Sequence, residues 1–301
     1  MKTIRILTEA VGALTSISTI KLIHDAGFYS IGIDLDQDCC AKVLADEFYP
    51  SPRVTDPEIR NFLYHIAVDK DVDLVMPTLD DTLLVWAGMK DELEEKGVHI
   101  ALSDYSTLSI FEDKWKTYLF FKENGIPTPE TSLEQRYPLV KPRNGRGGSG
   151  VKITSETVDM EGMVSQEVLS GTEYTIDVFC DIDGEPVYIV PRKRLRVLNG
   201  KSLVGIVVNN QNIENFVRQI CATVTLKGII NLQCFEDVEG KIKFTEINPR
   251  KGGGTVLGMA ATENWIPLAV DTFVKKQKVT PSTDVKYGLK MGRYYNEIFY
   301  M

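Results

Sequence analysis

The chain has 301 residues, of which 43% are hydrophobic and 25% are charged, and its formal net charge is −8. This length predicts about two domains, and the excess of acidic residues argues against a broad nucleic-acid-binding surface. No apolar run reaches the roughly 20 residues that a membrane-spanning helix needs. Five cysteines without a C-x-x-C pair and only three histidines argue against a disulfide framework, a zinc site and a histidine-based nucleophile, so we expect a reduced, cytoplasmic protein.

The first hundred residues alternate between strand and helix patterns. Strands are predicted over 3–8, 29–35, 72–77 and 98–103, and helices over 16–26, 57–70 and 81–96. This alternation predicts a parallel sheet covered by helices, whose ligands bind beyond the carboxyl ends of the strands. Thr78, Asp80 and Asp81 follow the third strand and are candidate substrate contacts, although capping of the next helix by Asp80 or Asp81 explains them equally well.

The pattern changes after a boundary near 103–107. An amphipathic helix is predicted over 108–123, and from residue 139 onward strands are joined by turns, with one clear helix near 213–225. The second part therefore belongs to the α+β class, whereas the first part belongs to the α/β class.

A glycine-rich segment, Lys-Pro-Arg-Asn-Gly-Arg-Gly-Gly-Ser-Gly-Val, occupies residues 141–151. Its backbone amides can approach phosphate oxygens closely. It is not a P-loop, because Val151 stands where lysine is required, and a strand follows it instead of the helix of a dinucleotide motif. It therefore joins two antiparallel strands, and Lys141 and Lys114 can neutralise phosphate charge. A glycine hairpin without a ligand is the alternative.

Residues 166–177 resemble the end of one strand, a turn and the start of another. The backbone of such a connection can hold an adenine, and a carboxylate at Glu173 suits ribose hydroxyls, but surface turns have the same pattern.

A hairpin is predicted over 229–247, with a four-residue turn that pairs Glu236 with Lys241. This register places Gln233 opposite Phe244 and Asn231 opposite Glu246. Strand alternation then puts Asn231, Gln233, Glu246 and Asn248 on one face and Ile230, Leu232, Cys234 and Ile247 on the core side. Oxygen ligands of this kind suit Mg²⁺, and a solvated polar face is the alternative. Arg250 and glycines 252–254 follow as a candidate anion site.

The order of these parts resembles the ATP-grasp superfamily, in particular carboxylate–amine ligases and the ATP-binding halves of the carbamoyl-phosphate synthase large chain. The resemblance implies an α/β and α+β chain: an N-terminal Rossmann-like pre-ATP-grasp domain over 1–105 and an ATP-grasp domain over 106–301. The small lobe would span about 106–170 and the large lobe about 171–301. The segment Glu246-Ile247-Asn248-Pro249-Arg250 is its most specific element.

The resemblance also implies roles for individual residues. Lys114, Lys141 and the loop Gly147, Gly148, Ser149 and Gly150 would bind the ATP phosphates; Gln166, Glu167 and Val168 would hold adenine, and Glu173 the ribose. Gln233, Glu246 and Asn248 would hold Mg²⁺, or Mn²⁺ in its place, and Arg250 would face the reacting phosphate. Within the basic run 191–196, Arg194 is the candidate for contacting the transferred phosphate or the acceptor carboxylate; a solvated strand face or a nucleic-acid patch are the alternatives.

The implied function is an ADP-forming ligase that activates a small carboxylic acid as an acyl phosphate, which an amine then attacks. A phosphotransferase of the same fold, a carbamoyl-phosphate-synthase-like ATP-binding subunit and a non-catalytic nucleotide-binding subunit are the alternatives. We expect small-molecule carboxylate and amine substrates, no nucleic-acid or membrane partner, and a possible homodimer. Two departures from the family are a short segment over 151–165, which predicts a trimmed small lobe, and Gln166 at a position where the family often has glutamate.

Overall fold

The computed structural model describes residues 2–145, 148–198, 200–294 and 296–300. The first hundred residues form a parallel sheet with strand order β3-β2-β1-β4-β5. Its strands are β1 (Arg5–Glu9), β2 (Tyr29–Asp34), β3 (Glu47–Pro50), β4 (Leu74–Met76) and β5 (His99–Ile100). The helices are α1 (Ile17–Asp25), α2 (Ile59–Asp69), α3 (Leu83–Ala87) and α4 (Lys90–Glu94), with 3-10 turns at Cys40–Val43 and Asp80–Thr82.

Two features of this first unit differ from the sequence prediction. The edge strand β3 was missed because it is short, half-exposed and ends in Pro50, a residue that only an edge strand accommodates easily. The predicted helix over 81–96 is divided into a 3-10 turn and two short helices. The second break follows Gly88, because glycine is a weak helix former.

The middle part of the chain forms a small antiparallel sheet with strand order β6-β9-β7-β8. The strands of this sheet are β6 (Thr131–Ser132), β7 (Leu139–Pro142), β8 (Lys152–Ile153) and β9 (Met163–Gln166). Two helices precede it, α5 (Tyr105–Phe111) and α6 (Lys114–Glu123). The single helix predicted over 108–123 is two helices, because the Asp113 carboxylate caps α6 by accepting the Trp115 amide at 2.8 Å. Residues 151–165 contain only strands and turns, as their length predicted.

The last part is a six-stranded antiparallel sheet with strand order β14-β13-β10-β11-β12-β15. Its strands are β10 (Thr172–Cys180), β11 (Pro186–Leu198), β12 (Lys201–Val207), β13 (Gly228–Glu236), β14 (Ile242–Asn248) and β15 (Lys290–Gly292). The helices are α7 (Gln211–Thr223), α8 (Val256–Ala261) and α9 (Trp265–Ala269), followed by a π-helical turn at Val270–Val274. The helix predicted near 213–225 is thus confirmed as α7.

Alternation along the strands gives this sheet two different faces. Ile176, Val178 and Leu232 face a core built with α5, α6 and α7. On the other face, Phe179 and Trp265 pack with Ile6 and Leu74 of the first sheet, so one hydrophobic cluster joins the two units. The rest of that second face is polar, and it forms the wall of a cleft. Within the described residues, no helix combines the length and hydropathy needed to cross a bilayer.

Candidate active site

Two adjoining cavities lie on the polar face of the six-stranded sheet. The first, here called the cleft, measures about 310 Å³ and lies against the glycine-rich segment and the four-stranded sheet. The second, here called the basic cavity, measures about 540 Å³ and reaches the first helix of the chain. Arg194, Gln233 and Glu246 line both, so the two cavities meet at these three side chains.

Lys141 enters the cleft from β7 and is 8% exposed. Its Nζ donates to Gln166 Oε1 at 2.9 Å, and the Gln166 amide in turn donates to Thr131 Oγ1 at 2.9 Å. Burial lowers the pKa of Lys141 to about 8, with Glu246 opposing the shift and Lys114 adding to it. A neutral amide therefore holds a cation that faces the cleft, and both ends of the Gln166 side chain are already engaged.

Lys114 connects the start of α6 to the glycine-rich segment. Its Nζ donates to the carbonyl oxygen of Gly145 at 2.8 Å, while Asp113 accepts hydrogen bonds from Arg143. Beyond it, Gly148 and Gly150 have a φ of +73°, which favours glycine. The segment joins the antiparallel strands β7 and β8, as predicted; Gly147 lies outside the described residues.

The connection from β9 to β10 carries the other predicted nucleotide contacts. Gln166 lines the cleft, whereas the Glu167 carboxylate pairs with Lys243 Nζ at 2.7 Å. Val168 is 43% exposed. Glu173 lines the cleft and forms an ion pair with Arg194, which also donates to the carbonyl oxygen of Gly200 at 2.6 Å. Arg194 is therefore a mostly buried, paired cation and does not lie on a solvated strand face.

Gln233, Glu246 and Asn248 lie on one face of the β13–β14 hairpin, as predicted, but the predicted register is wrong. Gln233 is opposite Glu246, and Asn231 is opposite Asn248. The turn has five residues, in which Asp237 Oδ1 accepts the amides of Glu239 and Lys241 at 2.9 Å each, and a bulge follows Gln233. These two changes add up to a shift of two residues at Gln233, so Asn231, Gln233, Glu246 and Asn248 keep their predicted face. Phe244, predicted opposite Gln233, instead lies opposite Cys234 in the core.

The donor set on this face fits Mg²⁺. It offers one carboxylate, Glu246, with the amide oxygens of Gln233 and Asn248 beside an open cavity. Magnesium is held by one or two carboxylates together with substrate phosphates and waters. In the described residues no group of three His, Cys, Asp or Glu side chains could hold a metal ion, so an ion here would depend on such additional ligands.

Arg250 is held across the boundary between the first and last sheets. Its Nε donates to Asp80 Oδ1 at 2.7 Å and its Nη2 to Asp80 Oδ2 at 2.5 Å; Nη2 also contacts Asn248 Oδ1 at 3.2 Å. Asp80 thus lines the basic cavity as an ion-paired residue, and in the described residues no side chain caps the 3-10 turn Asp80–Thr82. Its contact with a substrate stays a prediction. Thr78 donates to the carbonyl oxygen of Glu9.

A buried polar network behind the site was not predicted. Asp177 and Arg192, 0% and 1% exposed, form an ion pair on adjacent strands. Asn231 and Thr255 donate to Asp177 Oδ1 at 2.9 and 2.8 Å. The signal for it was a charged residue inside the otherwise apolar strand sequence Tyr-Thr-Ile-Asp-Val-Phe.

The glycines after Arg250 serve this network through close packing. A Cβ on Gly254 would lie 2.8 Å from Arg192 Nη1, and one on Gly252 would lie 2.8 Å from Asn231. The Gly252 amide donates to Thr255 Oγ1 at 3.0 Å. The helix that follows, α8, has only six residues. Arg250 and Gly252, Gly253 and Gly254 line the basic cavity, and the anion site expected there stays a prediction.

Comparisons with known proteins agree with this architecture. A family model described as "PylC-like, N-terminal domain" matches residues 10–101, and one described as "ATP-grasp in the biosynthetic pathway with Ter operon" matches residues 159–293. The biotin carboxylase domain of the Hydrogenobacter thermophilus 2-oxoglutarate carboxylase, solved with MgADP, ADP and bicarbonate, superposes with a TM-score of 0.74 at 15% identity. The match covers 95% of this chain and 73% of that one, and it shows the fold.

Two curated relatives match most of the chain. Carbamoyl-phosphate synthase of Methanobrevibacter smithii is 24% identical over 270 residues, covering 79% of this chain and 72% of its own length. The 3-methyl-D-ornithine–L-lysine ligase of Methanosarcina barkeri is 24% identical over 245 residues, covering 79% of this chain. This chain spans 65% of the ligase, just under two thirds.

Residues 159–293 are thus similar to the ATP-grasp superfamily and residues 10–101 to the PylC-like N-terminal domain, and the chain has the ATP-grasp fold with an N-terminal Rossmann-like domain ahead of it. Within that superfamily, it is similar to carboxylate–amine ligases and to carbamoyl-phosphate synthases.

Proposed function

We propose that this chain is an ATP-dependent carboxylate–amine ligase that forms a C–N bond and releases ADP and phosphate. The observation that carries the proposal is the position of Glu246, which lines both the cleft and the basic cavity. A nucleotide in the cleft and an acid in the basic cavity would meet at this carboxylate. Phosphoryl transfer needs this arrangement, because the attacking and leaving oxygens must lie roughly in line.

The cleft is the proposed ATP site. Lys141 and Lys114 face it with positive charge, and neither forms an ion pair with a carboxylate in the described residues. We assign the phosphates to these two lysines and to the segment Gly147, Gly148, Ser149 and Gly150. Adenine would contact the Gln166–Glu167–Val168 connection through its backbone, because the Gln166 and Glu167 side chains are engaged elsewhere. Glu173 remains the proposed ribose contact.

Gln233, Glu246 and Asn248 are the proposed ligands of Mg²⁺, for which Mn²⁺ could substitute. The ion would supply charge neutralisation at the phosphate oxygens. The chain's own contribution is to keep Glu246 facing the point where the two cavities meet, through its pairing with Gln233 across the hairpin.

The proposed reaction has two balanced steps. An oxygen of the acceptor carboxylate attacks the γ-phosphorus, and the bond to the β-phosphate oxygen breaks, giving an acyl phosphate and ADP. The amine then attacks the acyl carbon, loses a proton, and expels inorganic phosphate. Arg250 and Arg194, fixed by Asp80 and Glu173, are the cations placed to stabilise the charge on the transferred group.

³¹P NMR of the protein with Mg-ATP and pooled amino acids, hydroxy acids and amines tests this proposal. ADP and inorganic phosphate that appear only when an acid and an amine are both present would support the ligase. A new stable phosphoester or phosphoamide signal without free phosphate would instead establish a phosphotransferase.

Several broader assignments belong to the same proposal. We propose a division into residues 1–105 and 106–301, with lobes at about 106–170 and 171–301; the bounds of the three sheets support it. The five cysteines are free thiols, in keeping with a proposed cytoplasmic location. Small-molecule acid and amine substrates are proposed as the partners, and a homodimer is proposed as the assembly.

A further inference from the structure

The basic cavity concentrates positive charge in an acidic protein. The chain carries a formal net charge of −8, yet five cationic side chains line this one cavity. They are Arg192, Arg194, Arg250, Lys251 and Arg293. Asp80 and Glu246 are the carboxylates in the same lining. The composition of the chain does not account for this excess of cations, so the cavity favours ligands that carry negative charge.

Three of the five cations are neutralised within the protein. Arg192 pairs with Asp177, Arg194 with Glu173, and Arg250 with Asp80. These pairs fix the guanidinium groups and consume most of their charge.

The other two cations, Lys251 and Arg293, have no such partner. Lys251 is 7% exposed. The carboxylate that attracts its charge, Asp177, already forms an ion pair with Arg192. Arg293 donates to the carbonyl oxygens of Ser202 at 3.1 Å and Gly253 at 2.5 Å. Among the described residues, no Asp or Glu oxygen lies within ion-pair distance of either cation. Carbonyl contacts orient a guanidinium without neutralising it, and an unpaired buried cation is costly.

A third group in the same cavity also lacks a partner. Thr19, on α1, is 1% exposed, and its Oγ1 has no hydrogen-bond partner in the described part of the chain. Its neighbour Thr15 lies against Gly253, where an added Cβ would come within 3.0 Å of it. A buried hydroxyl without a partner is rare in folded proteins, so it points to a ligand atom. The first and last units of the chain thus both contribute to this end of the cavity.

We propose that Lys251, Arg293 and Thr19 bind a second anionic group of the acceptor acid, so that the substrate is a dianion with either a second carboxylate or a phosphate. This inference rests on the proposed ligase function, which places the reacting carboxylate at the Glu246 end of the same cavity. The second group satisfies the two unpaired cations and the unpaired hydroxyl. A monoacid would leave buried Lys251 and Thr19 and half-buried Arg293 unpaired, which is the physical basis of selectivity.

Calorimetric titration of the full chain with matched pairs of acids, in the presence of Mg-ADP, tests this inference. The pairs are butyrate with succinate, valerate with glutarate, and serine with O-phosphoserine. We expect at least one acid with two anionic groups to bind about tenfold or more tightly than its partner with a single carboxylate, since a hydrogen bond to a charged group contributes this much. The pair that shows the difference distinguishes a carboxylate from a phosphate. Equal binding within every pair, or no binding of any acid, would overturn the inference.

Substitutions of single residues test whether the preference for the dianion depends on Lys251, Arg293 and Thr19. Lys251→Met and Arg293→Met should each abolish the preference for the dianion, whereas Arg293→Lys, which keeps the charge, should retain most of it. Lys227→Met is the matched control, because Lys227 pairs with Asp104 outside the basic cavity; it should bind like the wild type. Thermal unfolding checks that each variant is folded, and Thr19→Val offers an uncharged test at the same site. A wild-type preference in folded Lys251→Met and Arg293→Met would refute the assignment.

Failure of the ligase proposal can be distinguished from failure of this inference by measuring the binding of Mg-ADP. Binding of Mg-ADP is measured on the same wild-type preparation before any acid is added. If the protein binds no Mg-ADP, the ligase proposal fails, and the paired acids are titrated into the free protein, where the same tenfold criterion applies.

Discussion

Lys141 is a buried cation whose hydrogen-bond acceptor is the neutral amide of Gln166. Because burial lowers its pKa to about 8, this lysine loses its charge within an accessible pH range. Glu246 and Lys114 are the charged groups that act on it. The protonated form is the one that attracts phosphate oxygens, so nucleotide affinity should depend on its titration.

We therefore predict that the affinity for Mg-ADP falls as pH rises above about 8, by a factor that approaches ten per pH unit. Gln166→Glu should raise the pKa of Lys141 by adding a carboxylate, and so move the decline to higher pH. Calorimetric Kd values between pH 6.5 and 9.5 measure both effects. Lys141→Met should bind weakly at every pH, whereas Lys251→Met should keep the wild-type profile. A wild-type profile in Lys141→Met would show that another group titrates.

The ion pairs of the site were beyond the reach of sequence analysis. Glu173 and Arg194 are 21 residues apart, and Asp80 and Arg250 are 170 residues apart. Charged residues in separate motifs carry no local signal of the partner that folding brings to them. The motifs were sufficient to select these residues, but which of them are neutralised by an ion pair depends on tertiary contacts.

At the scale of single elements, the β13–β14 hairpin decides which groups can reach a metal. The common face of Asn231, Gln233, Glu246 and Asn248 was predictable because alternation has a period of two, and the combined change from turn and bulge is an even number of residues at Gln233. The face of Phe244, which lies between the turn and the bulge, was not. Its register was not predictable, because turn length and a bulge depend on local hydrogen bonds such as those of Asp237. The breaks at Gly88 and Asp113 were missed for the same reason: apolar periodicity continues across them.

We predict that Asp237→Ala lowers the free energy of unfolding by about 1–2 kcal/mol, because two turn amides lose their acceptor. Urea unfolding measures this change. Glu239→Ala, in the same turn, should change stability by less than about 0.5 kcal/mol, because within the described part of the chain its carboxylate pairs only with exposed Lys241. Equal effects of the two substitutions would contradict the role given to Asp237.

At the scale of the whole molecule, the first sheet and the six-stranded sheet share one hydrophobic cluster and the Asp80–Arg250 pair. The strand–helix alternation made the first unit predictable, whereas its packing against the second required contacts between distant segments. This packing brings residues of the first unit, among them Thr19 and Asp80, into a cavity whose other lining residues come from 175–293.

Asp80→Asn tests this connection. We predict a loss of about 1–2 kcal/mol in stability and a roughly tenfold lower turnover, because Arg250 loses its charged acceptor, with Mg-ADP affinity nearly unchanged. Urea unfolding and steady-state kinetics measure these quantities. Asp25→Asn, which removes an exposed pair with Lys21, serves as the control and should have little effect. Weakened Mg-ADP binding in Asp80→Asn would place Arg250 in the nucleotide site instead.

ADP formation from Mg-ATP, acid and amine by the wild type, Glu246→Ala and Glu239→Ala tests whether Glu246 is required for the ligase reaction. We predict that Glu246→Ala loses turnover by about 100-fold or more, because the only carboxylate of the proposed metal set in the described residues is removed. Glu239→Ala, on the exposed turn of the same hairpin, should match the wild type. Turnover within about threefold of the wild type in folded Glu246→Ala, a difference of well under 1 kcal/mol in the barrier, would contradict the assignment of Glu246 and the ligase mechanism built on it.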